Sequence, residues 1–289
     1  MGRIIAIANQ KGGVGKTTTT ANLGAAFAER GAQVLLIDFD PQSSLSLSLG
    51  FEVLKLERTV YDALLDSGNP VSLDSVTRPT SMPGLFLAPS SIELAKAEPE
   101  LIGEMSREYF LKNAIQASER AYDFILIDCS PSLGILTTNA LAAADQVLVP
   151  VQADYLAFRG ADLLIRTTVE KVRRRLNPRL ELAGVLVTMF NSRTTHAREV
   201  LDEIRATYGE KVFRTVIKQS TRIKEAPVSG EPLLTYDPHN VLSQAYRELA
   251  LEIGAPACTR EDRVPPEAGR QETAEPQEAG LQEAKAQEN

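Results

Sequence analysis

The chain has 289 residues, 43% of them hydrophobic and 24% charged, with a formal net charge of −7, a make-up that fits a globular α/β protein and leaves little room for wholesale disorder. No apolar run approaches the roughly 18 residues needed to span a bilayer, and the opening Met1-Gly2-Arg3-Ile4-Ile5-Ala6-Ile7-Ala8 lacks the cleavage pattern of a signal peptide, so a cytoplasmic protein is expected. The two cysteines, Cys129 and Cys258, form no CxxC or disulfide-like spacing and suit a reducing compartment.

In chain order, short β-branched runs alternate with longer helical patterns. Strands are expected at 4–8, 34–38, 85–88, 124–128, 146–150 and 182–188, and helices near 16–30, 104–121, 135–143, 158–175, 196–208 and 242–253. This alternation is the signature of a mostly parallel central sheet flanked by helices on both faces. One domain over residues 1–254 is the simplest division, and Gly31 falls where a helix C-terminal glycine belongs. Beyond 254 the periodicity gives way to Pro265-Pro266 and a stretch of Glu, Gln, Ala and Gly with eight acidic and four basic residues. Such a segment buries too little apolar surface to offset ordering, so 255–289 is expected to be an acidic, disordered tail. The rest of the chain keeps a net charge of only −3, which permits basic patches.

The chemistry begins at Gln10-Lys11-Gly12-Gly13-Val14-Gly15-Lys16-Thr17-Thr18, directly after the first strand and at the start of the first helix, where a phosphate loop belongs. Its glycines let backbone N–H groups converge on phosphate oxygens, and the helix N-terminus adds favourable electrostatics. Lys16 can reach the β/γ-phosphates of a nucleotide, and the Thr17 hydroxyl can bind Mg²⁺. A glycine-rich turn would explain the glycines but not the Lys-Thr pair. The first glycine of the ordinary G-x-x-x-x-G-K-[ST] pattern falls on Gln10, and a second lysine, Lys11, follows it. An additional cation there suggests a further phosphate contact, on a nucleotide held by another subunit.

Two more segments carry carboxylates. Asp38-Phe39-Asp40-Pro41-Gln42 ends an apolar strand with two aspartates on the same side of an extended backbone, both able to approach a metal-bound triphosphate. Taken by itself that pair reads as solvated aspartates; beside residues 11–18 it does not. Phe124-Ile125-Leu126-Ile127-Asp128-Cys129-Ser130-Pro131-Ser132-Leu133-Gly134 has the Walker B arrangement, in which Asp128 can hold Mg²⁺ through its water shell.

The segment K-G-G-V-G-K-T-T is similar to the deviant Walker A sequence of the ParA/MinD class, and the chain resembles ParA over about residues 2–254. Pro150-Val151-Gln152, Asn191-Ser192-Arg193-Thr194, Lys224-Glu225-Ala226-Pro227 and Ala245-Tyr246-Arg247-Glu248-Leu249 share in the likeness. The resemblance implies a single-domain P-loop ATPase using ATP and Mg²⁺, dimerising on ATP, binding double-stranded DNA nonspecifically over the nucleoid, and partitioning a chromosome or plasmid with a ParB-type or other stimulating adaptor.

By residue, the resemblance gives Lys11 the cross-subunit contact. It sets Asp40 beside the attacking water and near the metal, and Asp38 in a supporting polar role. Adenine contacts fall at Thr188-Met189-Phe190-Asn191, although an asparagine at a strand end is equally a turn former. With no N-K-x-D guanine motif, ATP is favoured over GTP. Arg193, Arg222 and Lys224 become DNA-phosphate candidates, whereas Arg173-Arg174-Arg175 reads at least as well as a solvated helix face.

The likeness has departures. Ser130 replaces a proline of D-C-P-P-S-L-G, and Ile217-Lys218-Gln219-Ser220-Thr221-Arg222 replaces I-P-R-N-V-R, which leaves open both the nucleotide contacts of that loop and the choice of chromosome over another cargo. The cysteine pair that ligates the cluster of the nitrogen-fixation iron protein is missing. His196 and His239 have no neighbours at metal-ligand spacing.

Other classes share the loop. A MinD-like membrane ATPase would end in an amphipathic helix, for which 267–289 has no aromatic or leucine-rich face. A cobyrinic-acid-type amidoligase or dethiobiotin synthetase would need an acceptor site that no motif identifies. The chain opens on the first strand, so an operator-binding N-terminal segment is not expected.

Overall fold

Strand β1 (Arg3–Ile7) lies inside a seven-stranded sheet completed by β2 (Val34–Phe39), β3 (Arg78–Pro79), β4 (Leu85–Ala88), β5 (Phe124–Cys129), β6 (Gln146–Gln152) and β7 (Glu181–Thr188). The structure, a computed structural model, describes residues 2–65 and 71–254; the expected tail at 255–289 lies outside them. The spatial order is β3-β4-β2-β5-β1-β6-β7, and only the pairing of β3 with β4 is antiparallel. Residues at every position of β2 and β5 are buried, because helices cover both faces, and this is why these strands read as continuous apolar runs rather than alternating ones.

The helices are α1 (Lys16–Glu29), α2 (Ser44–Ser48), α3 (Val60–Leu64), α4 (Leu73–Val76), α5 (Leu94–Ile102), α6 (Phe110–Gln116), α7 (Ile135–Ala143), α8 (Tyr155–Leu163), α9 (Glu170–Arg175), α10 (Thr195–Tyr208), α11 (Arg222–Glu225), α12 (Leu233–Tyr236) and α13 (Val241–Ile253). On one face Leu23 and Phe27 of α1 and Tyr246 and Leu249 of α13 join Ile5, Ile7 and Leu36. Gly24 lets α1 lie close to the sheet, since a Cβ there would come within 2.6 Å of Leu36 Cδ2. On the other face Leu94, Leu111, Leu136 and Phe158 join Ala6, Leu35 and Ile37.

The expected parallel sheet with two helical layers is the fold observed, and each expected strand is present to within a residue or two at its ends. One helix differs. Of the expected 104–121 only Phe110–Gln116 (α6) is helical; α5 ends before that span at Ile102, and between the two helices Ser106 takes a left-handed φ of 54°. Asn139 causes the break: its side-chain amide donates to the Arg107 carbonyl (2.8 Å), and its Oδ1 accepts the Leu111 N–H (3.2 Å), capping α6 from α7. The expected helix at 158–175 begins earlier, at Tyr155, where Asp154 caps it, and a π-helical turn at Leu164–Val169 joins α8 to α9.

The outer edge of β7 is covered by the chain at 212–218. Phe213 N–H donates to Val185 O (3.1 Å), Ile217 N–H to Val187 O (2.9 Å) and Phe190 N–H to Ile217 O (3.0 Å). This blunts an otherwise open edge and sets Lys218 beside Phe190.

Candidate nucleotide site

The loop after β1 is anchored before it turns. Asn9 donates its side-chain amide to Pro150 O (2.7 Å) and accepts the Lys11 N–H at Oδ1 (2.9 Å), while Thr188 Oγ1 at the end of β7 donates to Val14 O (2.8 Å). Gly13 and Gly15 hold φ of +73° and +91°, a region that strains most side chains. A Cβ at Gly12 or Gly13 would meet nothing within 4 Å, so the cradle is open on that side, and at Gly13 the dihedral, not crowding, requires glycine. Helix α1 begins at once, with Thr19 N–H donating to Gly15 O (2.9 Å), so the spare N–H groups of its first turn border the cradle.

The two lysines are held differently. Lys16 is buried, with Nζ 3.4 Å from the Lys11 carbonyl. Burial lowers its pKa, and the charge of Asp128 is the main opposing influence. Lys11 is part-exposed and paired to Asp154 at 3.3 Å. Asp154 is the N-cap of α8, and its carboxyl is held below the usual range first by the Ala157 N–H and then by Lys11. An exposed pair of this kind contributes only about 0–1 kcal/mol, so little retains Lys11 in this position.

Parallel pairing sets Asp38 directly beside Asp128. Asp38 is fully buried; desolvation pushes its carboxyl up to about 6 against the pull of hydrogen bonds from Ser46. Those bonds come from Ser46 N–H (2.8 Å) and Oγ (2.7 Å), both to Oδ2. The Asp128 carboxyl is pushed well above the carboxylate range by burial and then by Asp38, with Thr17 and Lys16 acting the other way. Its Oδ1 accepts a long bond from Thr20 Oγ1 (3.4 Å), but Oδ2 is buried with no hydrogen-bond partner among the described residues. A hydrated cation would satisfy that oxygen and remove the penalty on the charged form. Thr17 and Asp128 therefore fit Mg²⁺, an ion that keeps waters and binds through one or two protein oxygens plus phosphates. Asp40 is half-buried at the rim, where its Oδ1 accepts the Gln42 N–H (2.9 Å).

The structure thus gathers residues 11–18, Asp40 and Asp128 at the C-terminal ends of β1, β2 and β5, where α/β sheets bind ligands. Asn191 lies just past β7, but its Oδ1 accepts the Arg193 N–H (3.0 Å), the turn-forming arrangement that its residue type equally suggested. Arg193 and Lys224 are exposed and form no salt bridge among the described residues. Arg222, in contrast, pairs with Glu225 at 2.8 Å and reaches Asp237 at 4.0 Å. Arg173 and Arg174 both pair with Glu170, as a solvated helix face would. Sequence reasoning missed Ser46 and Asp154, whose partners lie 8 and 143 residues away.

Residues 2–182 match the AAA_31 AAA domain family. The chain is 45% identical over 255 residues to the sporulation initiation inhibitor protein Soj of Bacillus subtilis, covering 88% of this chain and 99% of that protein. It is also 45% identical over 253 residues to the chromosome partitioning protein ParA of Caulobacter vibrioides, covering 87% and 93%. It belongs to the ParA/MinD family of partition ATPases. Among solved structures, the cell division ATPase MinD of Pyrococcus furiosus superposes with a TM-score of 0.71 at 26% identity, covering 88% of this chain and 98% of that one. Cobyrinic acid a,c-diamide synthase from Mycobacterium smegmatis, with bound ADP and magnesium, superposes with a TM-score of 0.75 at 40% identity, covering 86% and 93%. This ParA-type chain is accordingly a P-loop ATPase whose cofactors are ATP and Mg²⁺. No helix among its described residues is long and apolar enough to cross a membrane.

Proposed function

We propose that this ATPase dimerises when ATP is bound, holds double-stranded DNA without regard to sequence, and partitions a chromosome with a ParB-type partner that stimulates hydrolysis. The ATPase domain is residues 1–254, with 255–289 as an acidic tail, and the protein works in the cytoplasm on the nucleoid. The observation that carries the reading is Lys11: a cation at the mouth of the phosphate cradle, held among the described residues only by a part-exposed pair with Asp154. Lys16 supplies the phosphate contact within the subunit, so a second lysine free to leave Asp154 suits a phosphate on the facing subunit.

Lys16 and the N–H groups of residues 12–18 hold the phosphates, and Thr17 and Asp128, with Asp40 at the rim, hold the hydrated metal. Bound Mg²⁺ would neutralise charge building on the β- and γ-phosphate oxygens. Asp40 orients the attacking water. Arg193, Arg222 and Lys224 meet DNA phosphates, contacts that are blind to sequence. A chromosome is favoured over a plasmid by the relatives named for chromosome partition.

Sedimentation with ATP and with ADP tests the dimer. Wild type should shift to a dimer with ATP only, and Lys11→Ala should bind ATP yet stay monomeric; an ATP-dependent dimer of Lys11→Ala would remove the cross-subunit role. The name of the Mycobacterium smegmatis structure favours a second reading, ATP-dependent amide formation on a corrinoid acid. ADP release that rises with cobyrinic acid and glutamine, but not with DNA and a ParB-type partner, would select that reading instead.

A further inference from the structure

Asp40 must present its carboxylate at one place, and the structure holds both ends of its backbone through a single buried network. Its N–H donates to Asp38 Oδ1 (3.3 Å). Its carbonyl accepts the hydroxyl of Ser90 (2.8 Å), from just beyond the end of β4, as well as the Ser43 N–H (2.9 Å) of its own turn. The Ser90 N–H donates to Ser46 Oγ (3.1 Å), and Ser46 in turn donates to Asp38 Oδ2 (2.7 Å). The ring therefore closes from Asp40 through Asp38, Ser46 and Ser90 back to Asp40. Asp38, Ser46 and Ser90 are all fully buried, at 0% exposure.

We infer that Ser90 is a positioning residue for ATP hydrolysis, fixing the backbone of Asp40 from the segment that follows β4. The inference rests on the reading of Asp40 as the group that orients the attacking water. Among the described residues the hydroxyl at position 90 has no second strong partner: the Ser91 carbonyl is 3.5 Å away, against 2.8 Å for Asp40. Alanine is smaller by one oxygen, so it fits without a clash, and it leaves the Ser90 N–H bond to Ser46 in place. What it removes is the grip on the Asp40 carbonyl, leaving that peptide to its local turn. No residue of the ring belongs to the phosphate loop, and Asp40 lies only at the rim of the metal site, so the consequence falls mainly on turnover rather than on nucleotide affinity.

The test is a double-mutant cycle of Ser90→Ala and Asp40→Ala, measuring steady-state ADP release, KM for ATP and ATP affinity with DNA present. Ser90→Ala should lower kcat about tenfold, the scale of a sub-ångström displacement of a catalytic group, with KM and affinity within about twofold of wild type. Asp40→Ala should lower kcat about 10²-fold, and adding Ser90→Ala to it should cost nothing more, since the residue acts only through Asp40. Wild-type turnover by Asp40→Ala would defeat the reading of Asp40 itself. A slow Asp40→Ala beside a Ser90→Ala of normal kcat would defeat the role of Ser90 alone, as would a further loss in the double variant. Should Ser90→Ala not fold, Ser90→Cys keeps the shape of the side chain, slightly enlarged, with a poorer donor, and its kcat must fall by the same argument.

Discussion

The centre around Asp38, Asp128 and Lys16 and the basic surface carrying Arg193, Arg222 and Lys224 use charge in opposite ways. In the centre the ionisable groups are buried and under-compensated: Asp128 keeps an orphaned oxygen, and desolvation works against the charged forms of Lys16 and Asp38. On the surface the groups are exposed, and their neighbours decide what each can offer: Arg222 is already paired with Glu225, whereas Arg193 is not. A buried, unmet charge has one use, to meet an incoming ligand of defined geometry. An exposed charge has many, and its local partners set how much of it a ligand can draw on.

The largest effect should follow from removing a centre charge. Lys16→Ala deletes a buried ammonium that no neighbour can replace, so ATP affinity should drop by about 10²-fold or more, the scale of losing a desolvated, charge-assisted contact. Calorimetry would read it, and tight ATP binding by folded Lys16→Ala would break the contrast at its strongest point.

On the surface the two arginines should separate. With two copies per dimer, Arg193→Ala should reduce the log–log salt slope of DNA binding by about 2, at roughly 0.9 per phosphate contact. Arg222→Ala should reduce it by less, because Glu225 and Asp237 already hold its guanidinium. Equal slopes for the two variants would show that ion pairing in the free protein does not decide what DNA receives.

The smallest effect is a pH dependence. Burial pushes the Asp38 carboxyl up to about 6 in the fold, from an ordinary value near 3.8. The fold therefore carries no penalty from this group below about 4; the penalty builds as pH rises from about 4 to about 6, where the unfolded chain has ionised and the buried carboxyl has not, and is complete once pH has passed 6. In nucleotide-free protein the Tm of Asp38→Asn, relative to wild type, should rise by several degrees between pH 4.5 and 7.5, on top of any constant offset from altered hydrogen bonds. A difference independent of pH would show that Asp38 is as well compensated as a surface carboxylate.

The same contrast governs what can be read from sequence. The phosphate loop is legible because its chemistry is local: Gly13 and Gly15 answer to their own dihedrals, and Lys16 and Thr17 follow one another on a helix start. The strands are legible because both faces are covered and no alternation confuses them. The break between α5 and α6 is not, since Asn139 enforces it from another helix. Ser90 is equally silent, as one of two adjacent serines 50 residues from the carbonyl that it holds. Arg222 looks like Arg193 in sequence, and only the fold brings Asp237 near it.

The measurement that bears most directly on the central claim is a salt titration of wild-type binding to two unrelated duplexes, once with ATP and once with ADP. The near-neutral folded part offers few clustered cations in a monomer, and pairing two subunits doubles the array. Binding should be tight, steeply salt-dependent and equal on both duplexes with ATP, and weak on both with ADP. Equal affinity in the two nucleotide states, or preference for one duplex, would contradict a dimer-gated, sequence-blind hold on DNA.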